Sequence, residues 1–536
     1  MNIDQSAFKV SIDAALLSLG ALNLRFTENA RLPRWEFDLQ FLDQIWPLYL
    51  ETPYWSLAPL PYLHWAVSNP VWGWPHTGDD GSICAFDRQG LDYDAENHEG
   101  ILRSLIDKSM AMLVRHHAMS KIERLQLFSD ELDAYARKIG IVAQALDRPL
   151  GNNKRVPIDV ESRSTNQWEI RRINSPETNK FTQRQSLFVL DIEITDIPPL
   201  TKAPDNDWWR ELCDKIPEKI HCRLLNKRGC GVILRVANRF DGTLLLLYWG
   251  NRNRTQERRL FRLEAVYREH LNRRVGQSSL EHRAAVIGVG SIGSRVAEQL
   301  ALSGIKHLTL VDPDDMSANN LGRHVLTRDW LGISKAQGLA NNLTRRVPGL
   351  DVKFYAASFL NWLETTNPNN FEVIVLATGD PAGERQLFRR AWREGWTCRL
   401  VTVFVEAANL GGHAIAMQPG EQGCLECLYE VDDPNTAGLL RTAMLAPGQV
   451  ASQEISGCGA FTPYSAMSAT RTALAAAELA LSTDEIGYQR WAGADKDALA
   501  LNLQPSDFWK SLRSGRIPSF IPRKTFIRKD CPCCSS

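Results

Sequence analysis

The sequence predicts a multidomain fold: an α+β domain over residues 1–148, a mixed α/β middle domain over 149–275 and a parallel-sheet α/β domain over 276–536. Three observations predict it. A chain of 536 residues is too long for one hydrophobic core. Two polar stretches bearing Pro and Asn, "DRPLGNNKRVPIDVESRSTNQ" from Asp147 and "PPLTKAPDNDWW" from Pro198, read as joints. From Ala284 onward strand and helix signals alternate, the texture of a parallel sheet covered by helices.

The first domain opens with a helix near residues 7–20. "RWEFDLQF" then alternates Trp35, Phe37, Leu39 and Phe41, the pattern of a strand with one buried face. Further on, Ile101, Leu102, Leu105, Ile106 and Leu113 recur at helical spacing, predicting a helix over about 97–116. Between these elements lies "GWPHTGDDGSICAF". It sets Cys84 behind a Gly-Ser-Ile step, after a Pro-His pair and an acidic turn. A nucleophile needs a turn to present it and a polar group nearby to hold an oxyanion. The bland alternative is a strand cysteine after a hairpin turn. The middle domain carries strands such as "GVILRVA" and "GTLLLLYWG" with basic surface, and its pattern specifies no function.

Composition narrows the function classes. Lys+Arg and Asp+Glu balance at 62 each, so no electrostatic case exists for nucleic acid or an acidic membrane surface as partner. The N-terminus has no basic n-region or small-residue cleavage site, and no apolar run approaches 18 residues. A cytoplasmic protein is expected. Its eleven cysteines are then expected to be reduced thiols with chemical or metal duties. Of these, Cys213, Cys222, Cys230 and Cys398 read as ordinary structural residues.

"AAVIGVGSIGSRVAEQLALSGIKHLTLVD" is a strand, a glycine turn, a helix and a second strand. Gly288, Gly290 and Gly293 fit G-x-G-x-x-G, which lets backbone N–H groups and a helix N-terminus approach phosphate. Asp312 ends the second strand, placed to accept ribose hydroxyls. These features alone suit a dinucleotide dehydrogenase equally well. The following run adds Asp314, Asn320, Arg323 and Lys335, cationic and polar groups that an enzyme splitting ATP between its α- and β-phosphates needs and a redox site does not. "FEVIVLATGD" then delivers Asp380 at a strand's C-terminal edge, where a carboxylate can hold Mg²⁺.

Two cysteine knuckles follow. "GCLECLYE" gives Cys424 and Cys427, and "DCPCC" gives Cys531 and Cys534, with Cys533 as an extra thiol. Two C-x-x-C pairs suit a tetrahedral Zn²⁺ site that fastens the tail to the domain. Cys458 stands apart, flanked by glycines in "EISGCGAFTPY".

The glycine turn, the "VDPD…NNLGR" run, the "GISKA" lysine and the "ATGD" aspartate resemble the ThiF/MoeB and ubiquitin-activating adenylyltransferase superfamily, over about residues 270–534. The resemblance implies a Rossmann-like fold that adenylates a C-terminal carboxylate with ATP, in a homodimer. It assigns Asp312 to ribose, Asn320, Arg323 and Lys335 to phosphate, and Asp380 to magnesium. It offers Arg273, just upstream of the first strand, as the arginine that reaches a neighbouring subunit's ATP. It supports the paired zinc knuckles, and it implies Cys458 as the first acceptor of the activated acyl group. His324 stands where the family often has glutamine.

"WPHTGDDGSICAF" is in turn similar to the active-site segment of ubiquitin-conjugating enzymes, over about residues 1–145. Gly81, Ser82, Ile83 and Cys84 match, while Trp74-Pro75-His76 replaces the family's His-Pro-Asn flap, so the resemblance implies His76 for the oxyanion or proton work of that asparagine. A conjugating-like domain ahead of an activating-like domain resembles the layout of bacterial ubiquitin-transferase-like proteins, most of all those of CBASS antiphage operons. That resemblance implies a cGAS-like nucleotidyltransferase as the conjugated partner, a lysine-bearing target and a companion JAB-type isopeptidase. A ubiquitin-like protein as partner, a sulfur-carrier adenylyltransferase and a non-catalytic scaffold are the alternatives.

Overall fold

The computed structural model describes residues 4–28, 32–41, 43–66, 72–78, 80–86, 91–152, 154–164, 167–173, 182–200, 204–218, 230–239, 242–252, 255–278, 280–429, 440–449, 451–456, 459–483 and 486–534. The chain divides into two compact units, Met1–Val266 and Tyr267–Ser536. No helix among the described residues is long and apolar enough to cross a membrane.

The first unit begins with a helix, Gln5–Ser18, capped by Asp4, whose carboxylate accepts from the N–H groups of Ser6 and Ala7. A five-stranded antiparallel sheet follows in sequential order: β1 (Leu22–Thr27), β2 (Arg34–Phe41), β3 (Gln44–Glu51), β4 (Leu63–Trp65) and β5 (Ser82–Ile83). The alternation in β2 points Trp35, Phe37 and Leu39 into the core, but Phe41 lies exposed at the strand's end, past the last covered position. The helix His98–His117 closes that core with Ile101, Leu102, Leu105, Ile106, Met110 and Leu113, all buried.

The rest of this unit is a closed seven-stranded barrel. Its strands are β6 (Ala143–Leu146), β7 (Arg155–Ser164), β8 (Gln167–Ile173), β9 (Thr182–Ile192), β10 (Cys230–Val236), β11 (Thr243–Arg252) and β12 (Thr255–Ala265). The parallel β9–β10 pairing closes it, so no strand edge is left open. Barrel residues Val232, Leu234, Leu245 and Leu247 share one apolar cluster with Trp208, Trp209 and Leu212 of the helix Asn206–Lys215. Leu125, Phe128, Leu132 and Tyr135, from the helices Lys121–Phe128 and Leu132–Lys138, join the same cluster.

The second unit is built on an eight-stranded mixed sheet. Five strands are parallel, in the order β15 (Asp351–Tyr355), β14 (Ile305–Val311), β13 (Leu280–Ile287), β16 (Val373–Leu376) and β17 (Arg399–Val405). Three antiparallel strands extend it: β18 (Gly411–Met417), β21 (Gly487–Ala492) and β22 (Phe520–Pro522). A short ribbon, β19 (Gln453–Ser456) with β20 (Gly459–Phe461), lies apart from this sheet. Central strands such as "VIVL" are buried on both faces, as expected of a sheet with helical layers on either side. The helices Gly293–Leu302, Lys335–Arg346 and Ala466–Leu481 pack on one face, and Pro381–Glu394 packs on the other.

The topology reverses beside β13, where crossovers leave in both directions, so the C-terminal ends of β13, β14 and β16 open a crevice of the kind that binds ligands. Its floor is set by glycine. A Cβ on Gly293 would stand 1.8 Å from the Gly288 carbonyl oxygen, so only glycine lets this helix start against the turn. A Cβ on Gly290 would meet nothing within 4 Å. Gly293→Ala is therefore expected to destabilise the second unit by about 1–3 kcal/mol or more, and Gly290→Ala by less than about 0.5 kcal/mol. Denaturant unfolding of the two variants checks this contrast, and equal losses would contradict it.

Candidate functional site

In the second unit the glycine turn is tied to the loop beyond β14 by a buried carboxylate. Asp312 Oδ2 accepts from the Val289 N–H at 2.7 Å, and Oδ1 accepts from the Asp314 N–H at 2.9 Å. Burial raises this carboxyl's pKa, and the two backbone donors and Lys335 oppose that. Each oxygen keeps a second lone pair, so both bonds are compatible with hydroxyl binding.

The charged residues of the loop surround this point. Lys335, buried at the start of its helix, donates Nζ to Asp314 Oδ2 at 2.8 Å. Arg323 stands over the Tyr464 ring at 4.4 Å and bonds the Thr462 carbonyl, while the Tyr464 hydroxyl pairs with Ser291 Oγ at 2.6 Å. The guanidinium is thus steered toward the glycine turn by a tyrosine 141 positions further along the chain. Asn320 Oδ1 accepts from the N–H and hydroxyl of Ser317, closing a tight turn just before Arg323.

His324 is a tether. Its Nδ1 accepts from the Leu326 N–H at 3.0 Å, so Nε2 carries the hydrogen and donates to the Val289 carbonyl at 2.7 Å. Burial lowers its pKa to about 4, which fixes the neutral ring.

Asp380 caps the helix Pro381–Glu394, where its Oδ1 accepts from the Gly383 N–H at 3.0 Å and the side chain faces solvent. Thr378, two residues earlier, approaches Gly288 and so joins this strand end to the glycine turn. Glu384 lies just behind: its carboxylate accepts from the N–H and hydroxyl of Thr378, and burial raises its pKa to about 8. The Asp380 carboxylate is exposed, and a carboxylate oxygen is the donor type a hard divalent cation takes. Arg273 is exposed in the last turn of the helix Arg268–Arg274, immediately ahead of β13.

The four knuckle cysteines converge. Cys424, Cys427, Cys531 and Cys534 are buried, and their sulfurs lie within 4.8 Å of one another. Cys424 is 3.5 Å from Cys531 and Cys427 is 3.4 Å from Cys534. Tetrahedral Zn–S bonds of about 2.3 Å put sulfurs about 3.8 Å apart, so the donor set fits one such ion. Cys533, also buried, is not one of these four but interacts with Cys424. Between the first two thiols, buried Glu426 takes both Arg385 and Arg389 in two-point ion pairs, which joins the knuckle to the helix capped by Asp380.

In the first unit, Cys84 and His76 are cross-strand neighbours. Thr77 bridges Ile83, and the Cys84 N–H donates to the His76 carbonyl at 2.7 Å, which sets 76 opposite 84. Gly81, at φ +79°, lies where a Cβ would strike the Trp65 carbonyl at 2.2 Å. Tyr49 donates to the Asp80 carbonyl and Lys138 to Ser82 Oγ, clamping the acidic turn. Cys84 is exposed, whereas Cys213 and Cys398 are buried and burial pushes the Cys398 thiol up to about 12. Cys222 and Cys458 lie outside the described residues. The strands on either side of Cys458, β19 and β20, pair antiparallel. Spacing in the sequence gave no sign of Tyr464, Ser291, Glu384 or Glu426, because their partners are fixed only by the fold.

Residues 267–485 match the ThiF family. The second unit thus has a ThiF-type α/β adenylation fold, of the class shared with ubiquitin-activating enzymes. The chain is 30% identical over 113 residues to the ATP-dependent ubiquitin transferase-like protein Cap2 of Enterobacter hormaechei subsp. hoffmannii (strain UCI 50), covering 21% of this chain and 19% of that protein. It is 29% identical over 158 residues to the ubiquitin-like modifier-activating enzyme 5 of Drosophila willistoni, covering 27% and 39%. The match therefore spans between a fifth and two fifths of these relatives' length. A crystal structure of E. coli MccB with AMPCPP and MccA aligns at 16% identity and a TM-score of 0.32, over 48% of this chain and 67% of that one.

Metal analysis of the purified protein is expected to find about one zinc per chain, and Cys424→Ser to lose it together with stability of the second unit. A metal-free, equally stable protein would contradict the site. His324 gives a pH test. Its folded pKa lies below the unfolded value, so its contribution is fully present above pH 6.5 and drains as pH falls toward 4. Between pH 7 and 5 the wild type should lose about 2 kcal/mol more than His324→Gln in thermal or denaturant unfolding. Parallel losses would refute the assignment.

Proposed function

We propose that this chain activates the C-terminal carboxylate of a partner protein with ATP and Mg²⁺ and passes it, as a thioester on Cys458 and then Cys84, to an amine on a target. The observation that carries the reading is the contrast among the cysteines. In the first unit one exposed thiol is presented on a glycine-shaped hairpin opposite a histidine, while the other seven cysteines with described side chains are buried. An adenylation fold makes a reactive acyl group, and an exposed thiol is an outlet for it.

The carboxylate oxygen attacks the α-phosphorus and pyrophosphate leaves. Arg323 and Lys335 offset the charge that builds on the phosphate oxygens. Asp312 accepts from ribose hydroxyls, and Asp380 holds magnesium, which supplies further charge neutralisation. Asn320 orients the phosphates, and Arg273 reaches the ATP of a second copy in a homodimer. The Cys458 thiolate displaces AMP, Cys84 takes the acyl group by thioester exchange, and a lysine amine displaces Cys84. The four-cysteine cluster binds Zn²⁺ as a structural clamp. The likeness of residues 1–145 to ubiquitin-conjugating enzymes and the likeness to Cap2 support this order of events. They favour a cGAS-like nucleotidyltransferase, in CBASS defence and opposed by a JAB-type isopeptidase, as the conjugated partner over a ubiquitin-like protein.

Non-reducing gels with partner, ATP and Mg²⁺ test the relay. Cys458→Ala should make acyl-adenylate but no thioester at either cysteine. Cys84→Ala should charge Cys458 and form no conjugate, and Cys84→Ser should accumulate a hydroxide-labile ester. Conjugation by Cys84→Ala at the wild-type rate would overturn the reading.

A further inference from the structure

His76 adopts φ +57°, a left-handed conformation that a residue with a Cβ takes only when its surroundings impose it. Glu131, 55 positions away, is hydrogen-bonded to its backbone there. Its Oε2 accepts the His76 N–H at 2.8 Å, and its Oε1 lies 3.1 Å from His76 Nδ1. The His76 side chain is 52% exposed and that of Glu131 only 29%. Glu131 belongs to the short segment Ser129–Glu131, which the barrel grips: the Arg239 N–H and guanidinium bond Asp130, and Asn238 Nδ2 donates to the Ser129 carbonyl.

We propose that Glu131 is a positioning residue that fixes His76 as the proton acceptor for the amine attacking the Cys84 thioester, a proposal that rests on the reading of Cys84 as an acyl carrier. A carboxylate only accepts, so the bond to Oε1 keeps the hydrogen on Nδ1 and leaves the lone pair of the neutral ring on Nε2. That tautomer takes a proton and does not donate one to an oxyanion. The geometry thus decides between the two duties open to a histidine at this flap.

The surroundings fit this duty. The His116 ring stacks on His76 at 6.2 Å and 13° between planes. Burial first, and then His76 with Arg115 and Arg124, lower the His116 pKa to about 4, so it is a neutral wall. Burial raises the Glu131 pKa, with the charge of Asp130 adding to that, and His76 works against both. In the step, His76 Nε2 takes a proton from the lysine ammonium, the freed amine nitrogen bonds to the thioester carbon, and the C–S bond breaks with its electron pair passing to Cys84 Sγ. The second proton that the nitrogen loses goes to the departing thiolate, and His76 returns its own to solvent.

The test uses the full chain carrying Cys458→Ala, and as probe the acetylglycyl thioester of 2-mercaptoethanesulfonate. Intact mass should show one acetylglycyl adduct, absent when Cys84→Ala is added. The adduct is then chased with free lysine or with hydroxylamine, which is uncharged at neutral pH. Glu131→Gln and Glu131→Ala should charge normally and discharge to hydroxylamine at the wild-type rate. Their discharge to lysine should fall roughly 10²-fold, and Glu131→Asp should recover part of it. Wild-type lysine discharge in Glu131→Gln, or an equal fall with both nucleophiles, would overturn the proposal and leave Cys84 as carrier. A Cys458→Ala chain with Glu131 intact that acquires no adduct at Cys84 would overturn the carrier reading and this proposal with it.

Discussion

One residue's backbone holds the second unit's site together. The Val289 N–H is taken by the buried Asp312 carboxylate, and its carbonyl by the buried His324 ring. A buried carboxylate is tolerated only when hydrogen-bonded, and each bond to a charged acceptor contributes roughly 1.5–3 kcal/mol. Asp312 obtains two such bonds, one from the glycine turn and one from the loop that follows, so folding the turn and folding the loop become one event. Arg323 and Lys335 then inherit their positions. Lys335 is held through Asp314, and Arg323 sits one residue before the histidine that bonds Val289. A glutamine amide at this position would offer the same kind of donor without titrating. Histidine does the same work and adds a titration.

The first unit solves a similar problem with different means. A hairpin that presents a thiol to solvent must be stiff without covering it. Glycine at 81 lets the turn press against the β4 backbone, and Tyr49 and Lys138 clamp its acidic tip from the side away from Cys84 in sequence. The barrel contributes from further off. It shares its apolar cluster with the helices at 121–138 and grips the segment that carries Glu131, the carboxylate that pairs with His76.

Much of the second unit's crevice geometry was legible in the sequence because its signals are short-range. The spacing of Gly288, Gly290 and Gly293, an aspartate at a strand's end and two C-x-x-C pairs are fixed by neighbours along the chain. The helix over 98–117 was legible from its period, and so was the inward face of β2 up to Leu39. What stayed hidden depends on distant pairing. The parallel closure of β9 on β10 makes a barrel from strands that gave only a mixed pattern. Tyr464 under Arg323, Glu426 between two arginines and Glu131 behind His76 are each ordinary residues in the sequence, and only the fold makes them specific.

Adenylation itself is tested most directly by exchange of labelled pyrophosphate into ATP, driven by a partner with a free C-terminal carboxylate. Wild type should exchange, the same partner with an amidated C-terminus should not support it, and Lys335→Ala should lose on the order of 10²-fold in rate. Conjugation of the partner without any exchange, or undiminished exchange in Lys335→Ala, would contradict the assignment of this crevice to ATP.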